Sequence, residues 1–125
     1  MAPSRRDQSR SSLRIEYTEA FRVTQQVDWR ETFPKLNEAT QTWLFGDIWE
    51  RPGLSKRERS IATIAVNTAL YRTEQLRSHI NRGIDNGLTK DEIVEIITHV
   101  TFYGGWPTGV NGAQVASEVF QARSM

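Results

Sequence analysis

The chain contains no cysteine. That one absence excludes disulfide scaffolds, thiolate metal sites, cysteine nucleophiles and dithiol redox chemistry. Histidine is nearly as scarce, at two residues. His79 and His99 stand apart, without an HxxxH or HxxE pair to complete a ligand set, so no transition-metal site is expected. No apolar run approaches the roughly 18–20 residues that span a bilayer. Charge of either sign is not in excess: 16 basic against 15 acidic residues leave +1, which gives no electrostatic reason for a nucleic-acid or membrane partner. The Gly104-Gly105 pair lacks the Lys-Ser/Thr of a phosphate loop, and no GxSxG elbow occurs. The opening stretch MAPSRRDQSRSS has no apolar core of a secretory signal and reads as a solvated tail over residues 1–14. The expected location is the cytoplasm.

What is present is helical. At 125 residues the chain is one domain's worth of sequence, and residues 15–125 are read as that domain. No sustained alternation of period two points to strands. A first helix is predicted from Tyr17 to Glu31, with Phe21, Val23, Val27 and Trp29 as its apolar contacts. Pro34 suits the first turn of a second, which carries Leu36, Ala39, Trp43 and Leu44 and continues toward Trp49. Arg51-Pro52-Gly53 then breaks the pattern. Ser55-Lys56-Arg57-Glu58 and Thr89-Lys90-Asp91-Glu92 are capping boxes that open further helices. Between them Thr73 is placed as the cap of a helix with Leu76, Ile80 and Ile84 on one face, stopped at Asn86-Gly87. Ile93, Val94, Ile96, Ile97 and Val100 form a broad apolar stripe. Tyr103-Gly104-Gly105-Trp106-Pro107 interrupts the run before a last helix. The fold class is all-α, a bundle of about six helices. Four Trp, three Tyr and five Phe are generous for such a bundle and are read as either a large-residue core or a subunit interface.

Acid–base and electrostatic chemistry by His, Glu, Arg and the aromatics remains. His79 follows Leu76 by three residues and precedes Ile80, so it borders the buried face. A histidine at the wall of an apolar pocket is a suitable proton donor or acceptor, and a hydrogen-bonded histidine at the core edge is the plainer alternative. Glu74 opens the same helix, where a carboxylate also complements the helix dipole. It lies about 140° around the helix from His79, so the two meet only through a substrate or a neighbouring helix. Arg57 and Arg59 start the Ser55 helix; an inward-leaning Arg59 is a ready carboxylate clamp, and solvent exposure is the alternative. His99, in the last turn of its helix, is read as structural.

From Trp43 to Phe120 the sequence resembles the carboxymuconolactone decarboxylase family. The matching elements run from Phe45-Gly46-Asp47-Ile48-Trp49-Glu50-Arg51-Pro52-Gly53-Leu54 through Glu74-Gln75-Leu76-Arg77-Ser78-His79-Ile80 to Tyr103-Gly104-Gly105-Trp106-Pro107 and Asn111. The resemblance implies an all-α AhpD-like subunit in a homo-oligomer, commonly a trimer or hexamer, with sites near subunit contacts. In the related alkylhydroperoxidases a CxxC pair precedes a histidine by four residues. Here Arg72 and Gln75 occupy those positions relative to His79, which excludes peroxidase chemistry by that route.

The implied reaction is loss of CO2 from 4-carboxymuconolactone or a related small carboxylated lactone, with no cofactor because the lactone carbonyl is the electron sink. The resemblance assigns His79 as general acid/base, Arg59 as carboxylate or oxyanion clamp, and Glu74 as orienter or proton relay. Trp49, Tyr103 and Trp106 would wall the pocket. Two readings stay open beside it: isomerisation, dehydration or cyclisation on the same scaffold in secondary metabolism, and a non-catalytic oligomeric ligand-binding protein.

Overall fold

In the computed structural model, residues 27–125 are described. The expected tail over 1–14 and the stretch 17–26 of the first expected helix lie outside the described residues. The chain divides into two compact units, residues 1–44 and 45–125.

In the first unit Asp28 is extended, and its carboxylate accepts the Arg30 N–H at 2.9 Å. It caps a four-residue helix, α1 (Trp29–Thr32). The expectation of one helix running unbroken to Glu31 is thereby corrected: an aspartate that bonds its own backbone two residues on starts a turn afresh. Pro34 does open the next helix, α2 (Pro34–Ala39), which passes into a π-helical segment, Thr40–Phe45. Thr40 Oγ1 donates back to the Leu36 carbonyl at 2.8 Å, a bond that competes with regular helix at this transition. Leu36, Trp43 and Leu44, expected as apolar contacts, are all exposed.

The second unit begins with that segment's last residue and a 3-10 turn, Ile48–Glu50, in which Trp49 alone is buried. Four helices follow: α3 (Lys56–Ala69), α4 (Thr73–Asp85), α5 (Lys90–Gly104) and α6 (Trp106–Ala122). Among the described residues there is no strand. Both capping boxes form. Ser55 Oγ accepts from Glu58 N at 3.1 Å and Glu58 returns a carboxylate oxygen to Ser55 N at 3.0 Å; Thr89 and Glu92 repeat the arrangement at 3.1 and 3.0 Å. Thr73 is the first helical residue of α4, not its cap, and the cap position falls to Arg72 without a side-chain bond.

α5 outruns its expected end. Tyr103 and Gly104 are still helical, and the break comes at Gly105, where φ is +105° and a side chain would be strained. α4 stops as expected, with Gly87 at φ +103° and Leu88 N donating to the Gly83 carbonyl at 2.9 Å.

α3 packs on α4, α5 and α6, while α6 also packs on α4 and α5. Ile64, Ile80 and Ile93 are fully removed from water, and Ile97, Val119 and Phe120 close the core around them. Each such side chain contributes roughly 1.5–3 kcal/mol of transfer free energy. Small residues set the helix separations. A Cβ at Gly109 would overlap the Thr101 side chain, so only glycine lets α6 lie this close to α5. Arg57 pairs with Glu92, the same glutamate that caps α5, and so ties α3 to α5. The packing leaves His79, at the middle of α4, on the edge of the core beside the Trp49 turn.

Candidate active site

His79 is half-buried on α4, one residue before the fully buried Ile80. Its ring stacks on that of Trp49, with centroids 5.9 Å apart and planes 14° from parallel. Trp49 is 7% exposed, so the indole is a wall that keeps water from one face of the imidazole. Trp49 in turn meets Phe45 at 6.2 Å. Three rings, Phe45, Trp49 and His79, thus stand in sequence, delivered by the chain before α3 and by α4.

Burial pushes the His79 pKa below its ordinary value, and the positive charge of Arg82 pushes it further the same way. The ring's Nδ1 is buried and has no hydrogen-bond partner. A proton there would leave an unsatisfied buried donor, costing about 1–3 kcal/mol, so the neutral ring is assigned its proton on Nε2. The imidazolium must protonate both nitrogens, which adds to the burial penalty. His79 is accordingly a neutral imidazole at pH 7, with its proton on Nε2 and a free lone pair on Nδ1.

This has a measurable consequence. The folded chain holds the His79 proton less tightly than the unfolded chain, whose histidine titrates near pH 6.5. Between the depressed folded pKa and that value the unfolded state binds more protons, so stability falls as pH falls through this window. We expect the urea midpoint to drop between pH 7.5 and 5.5 in the wild type, and to drop less in His79→Gln. Equal slopes for the two proteins would contradict the assigned burial of the imidazole.

Arg59 is partly buried on the first turn of α3. Its Nη2 donates to the Arg51 carbonyl at 3.0 Å, while its Nε is buried without a partner. Arg59 therefore secures the segment just after Trp49 and retains donors for an incoming oxygen. Glu74 lies exposed in the first turn of α4 and makes no hydrogen bond to His79. The structure joins His79 and Trp49 by stacking and ties Arg59 to the same turn, but leaves Glu74 apart.

Tyr103 and Trp106 are also elsewhere. They are 84% and 65% exposed. Tyr103 tilts against His99 at 4.9 Å, and Trp106 meets Phe102 edge-on at 5.8 Å. Tyr103 borders a shallow groove of about 340 Å³ with Ala65, Val66, Ala69, His99 and Val100. Trp106 borders a second, of about 210 Å³, with Phe102 and Val110. Neither groove is lined by His79, Trp49, Arg59 or Glu74.

Sequence reasoning passed over Arg82. Its guanidinium lies 4.1 Å over the Phe45 ring and 5.8 Å from that of Trp49. The available signal was its place three residues after His79, one helical turn along the same side. No group of three or more His, Cys, Asp or Glu among the described residues is arranged to hold a metal ion. No helix among them is long and apolar enough to cross a membrane.

Comparison with known proteins gives these residues a context. The 4-carboxymuconolactone decarboxylase of Acinetobacter baylyi is 44% identical over 77 residues, covering 62% of this chain and 58% of that protein. A nitrosuccinic acid decarboxylase of Metarhizium robertsii is 31% identical over 81 residues, 65% of this chain and 57% of the relative. An uncharacterized 15.0 kDa protein of Paracoccus denitrificans is 31% identical over 78 residues, 61% and 58% of the two chains. The chain thus spans somewhat over half the length of the curated relatives it matches. Both relatives named for a reaction are decarboxylases. The sequence model of the carboxymuconolactone decarboxylase family matches residues 34–118, and the chain belongs to that family.

Proposed function

We propose that the chain is a decarboxylase subunit acting on a small carboxylated lactone or related acid, with His79 as its proton donor. The observation that carries this reading is the half-buried imidazole stacked on Trp49, in a chain whose named relatives are decarboxylases. On a carboxylated lactone, the bond to the carboxylate carbon breaks heterolytically and CO2 leaves. Its electron pair stays on the substrate and spreads into the lactone carbonyl as a dienolate. The substrate's negative charge favours the imidazolium of His79. The dienolate carbon takes its Nε2 proton, which leaves the ring neutral, and the ring regains a proton from solvent. No cofactor is required, because the carbonyl holds the electrons.

Each neighbour has a task that its position permits. Trp49 excludes water from one side of the proton donor and so keeps the local dielectric low. Arg59, anchored through one nitrogen, offers its remaining N–H groups to the developing oxyanion. Glu74 reaches the reaction only through the substrate or a neighbouring subunit, as orienter or proton relay. Tyr103 and Trp106 are assigned as pocket walls in a homo-oligomer, a trimer or hexamer, in which assembly covers the exposed Phe102, Tyr103 and Trp106.

The substrate names of the relatives narrow the acid. A substituted succinic acid has two carboxyl groups, and decarboxylation removes one of them. A carboxylated muconolactone likewise retains a carboxyl after losing CO2. A small dicarboxylate is therefore the preferred substrate class. The test is CO2 release from 4-carboxymuconolactone, with nitrosuccinic acid as the second substrate. Release at enzymatic rates from either supports the reading. A folded protein that only exchanges substrate protons with solvent would overturn decarboxylation and leave proton transfer.

A further inference from the structure

His79 and Arg59 are accounted for above; the cation that stacks beside Trp49 is not. Arg57, Arg77 and Arg123 each meet a carboxylate, those of Glu92, Glu118 and Asp85. The Arg82 side chain meets none among the described residues and makes no hydrogen bond among them. Instead its guanidinium rests on aromatic faces, 4.1 Å from the Phe45 centroid and 5.8 Å from that of Trp49. Stacking of this kind occupies the flat face of the group and leaves its N–H edge free for a planar anion. The same Trp49 ring stacks on His79 at 5.9 Å. Arg82 follows His79 by three residues on α4, so an anion on its edge would lie on the His79 side of that helix.

We propose that Arg82 docks the carboxylate that the substrate keeps, holding a small dicarboxylate beside His79. This rests on the decarboxylase reading for the identity of the ligand. The chemistry of that reaction decides which carboxylate is held. A cation clamped on the leaving carboxylate stabilises the charge that must depart, and so opposes CO2 loss. A cation on the retained carboxylate binds ground state and transition state alike and fixes the reacting carbon against the proton donor. The Arg82 charge contributes to the lowered proton affinity of His79, and an anion held between them would offset that charge and let the imidazolium form more readily.

The chain has two histidines, so proton NMR reads the site directly, the His79 signal being the one missing from His79→Gln. The probe is succinate, titrated at pH 7 and constant ionic strength. We expect a saturable movement of the His79 ring signal in the wild type, and binding at least tenfold weaker in Arg82→Gln. Arg82→Lys, which keeps the charge but not the planar edge, is expected between the two. An unchanged thermal midpoint in Arg82→Gln shows that the fold is intact. Wild-type affinity in Arg82→Gln, or no saturable shift in the wild type, would overturn the assignment. Because the readout needs no turnover, a chain that binds succinate through Arg82 but releases no CO2 overturns the decarboxylase reading alone.

Discussion

Substituting glutamine for His79 is expected to lower kcat by about a hundredfold or more, the usual yield of a positioned general acid. Glutamine keeps a planar polar group of similar size against Trp49 but cannot deliver a proton at neutral pH. Its effect on folding is expected to be small, because Nδ1 of His79 has no hydrogen-bond partner to lose. A general acid acts in the transition state, so the loss should fall on kcat and on kcat/KM together, with KM little changed. Steady-state kinetics with the best accepted carboxylated lactone separates this from a binding role. A loss confined to KM would make His79 a substrate contact and would move the proton donor to another group.

Trp49→Ala is expected to have the other large effect, and on two observables at once. Removing a buried indole costs about 3–5 kcal/mol in a closed core. Trp49 lies on a three-residue turn, which can partly collapse, so about 3 kcal/mol is expected here. The second effect is electrostatic. Burial is the larger cause of the depressed His79 pKa, and the indole covers one face of the ring. Without it the pKa should rise toward its ordinary value, stopping short because the Arg82 charge remains. Trp49→Phe should recover most of both. A urea titration gives the first quantity and the His79 ring signal against pH the second. An unmoved His79 titration in a destabilised Trp49→Ala would mean that the stack is packing only, without influence on the proton donor.

Local chemistry made most of the helical unit legible. Ser55 with Glu58 and Thr89 with Glu92 announce helix starts because each side chain completes a bond with the other's backbone, and both form. Asn86-Gly87 announces a stop because glycine accepts φ +103°. The same reasoning misjudged Asp28, which periodicity places inside a helix and whose carboxylate instead caps a new one at Trp29. It also missed that Gly104 stays helical and leaves the break to Gly105, since two adjacent glycines carry the same signal.

At the site, the periodicity of α4 placed His79 at the core edge, where the structure has it. The stack on Trp49 was not legible, because it joins residues 30 positions apart, with the whole of α3 between them. Arg82 was overlooked for the same reason: its significance comes from Phe45, a distant residue, and not from its own helix. Tyr103 and Trp106 were grouped with His79 on the strength of the family resemblance. Within one chain they stand on other grooves, and the proposed role as pocket walls would require assembly.

The central claim is that CO2 leaves and that His79 then protonates the carbon. It is tested most directly by turning over 4-carboxymuconolactone, carbon-13 labelled in the carboxyl group to be lost, in deuterium oxide. The wild type should release labelled CO2 and place one deuterium on the product carbon for each molecule released, and both should fall together by about a hundredfold in His79→Gln. Labelled CO2 appearing at an undiminished rate from His79→Gln would contradict the account.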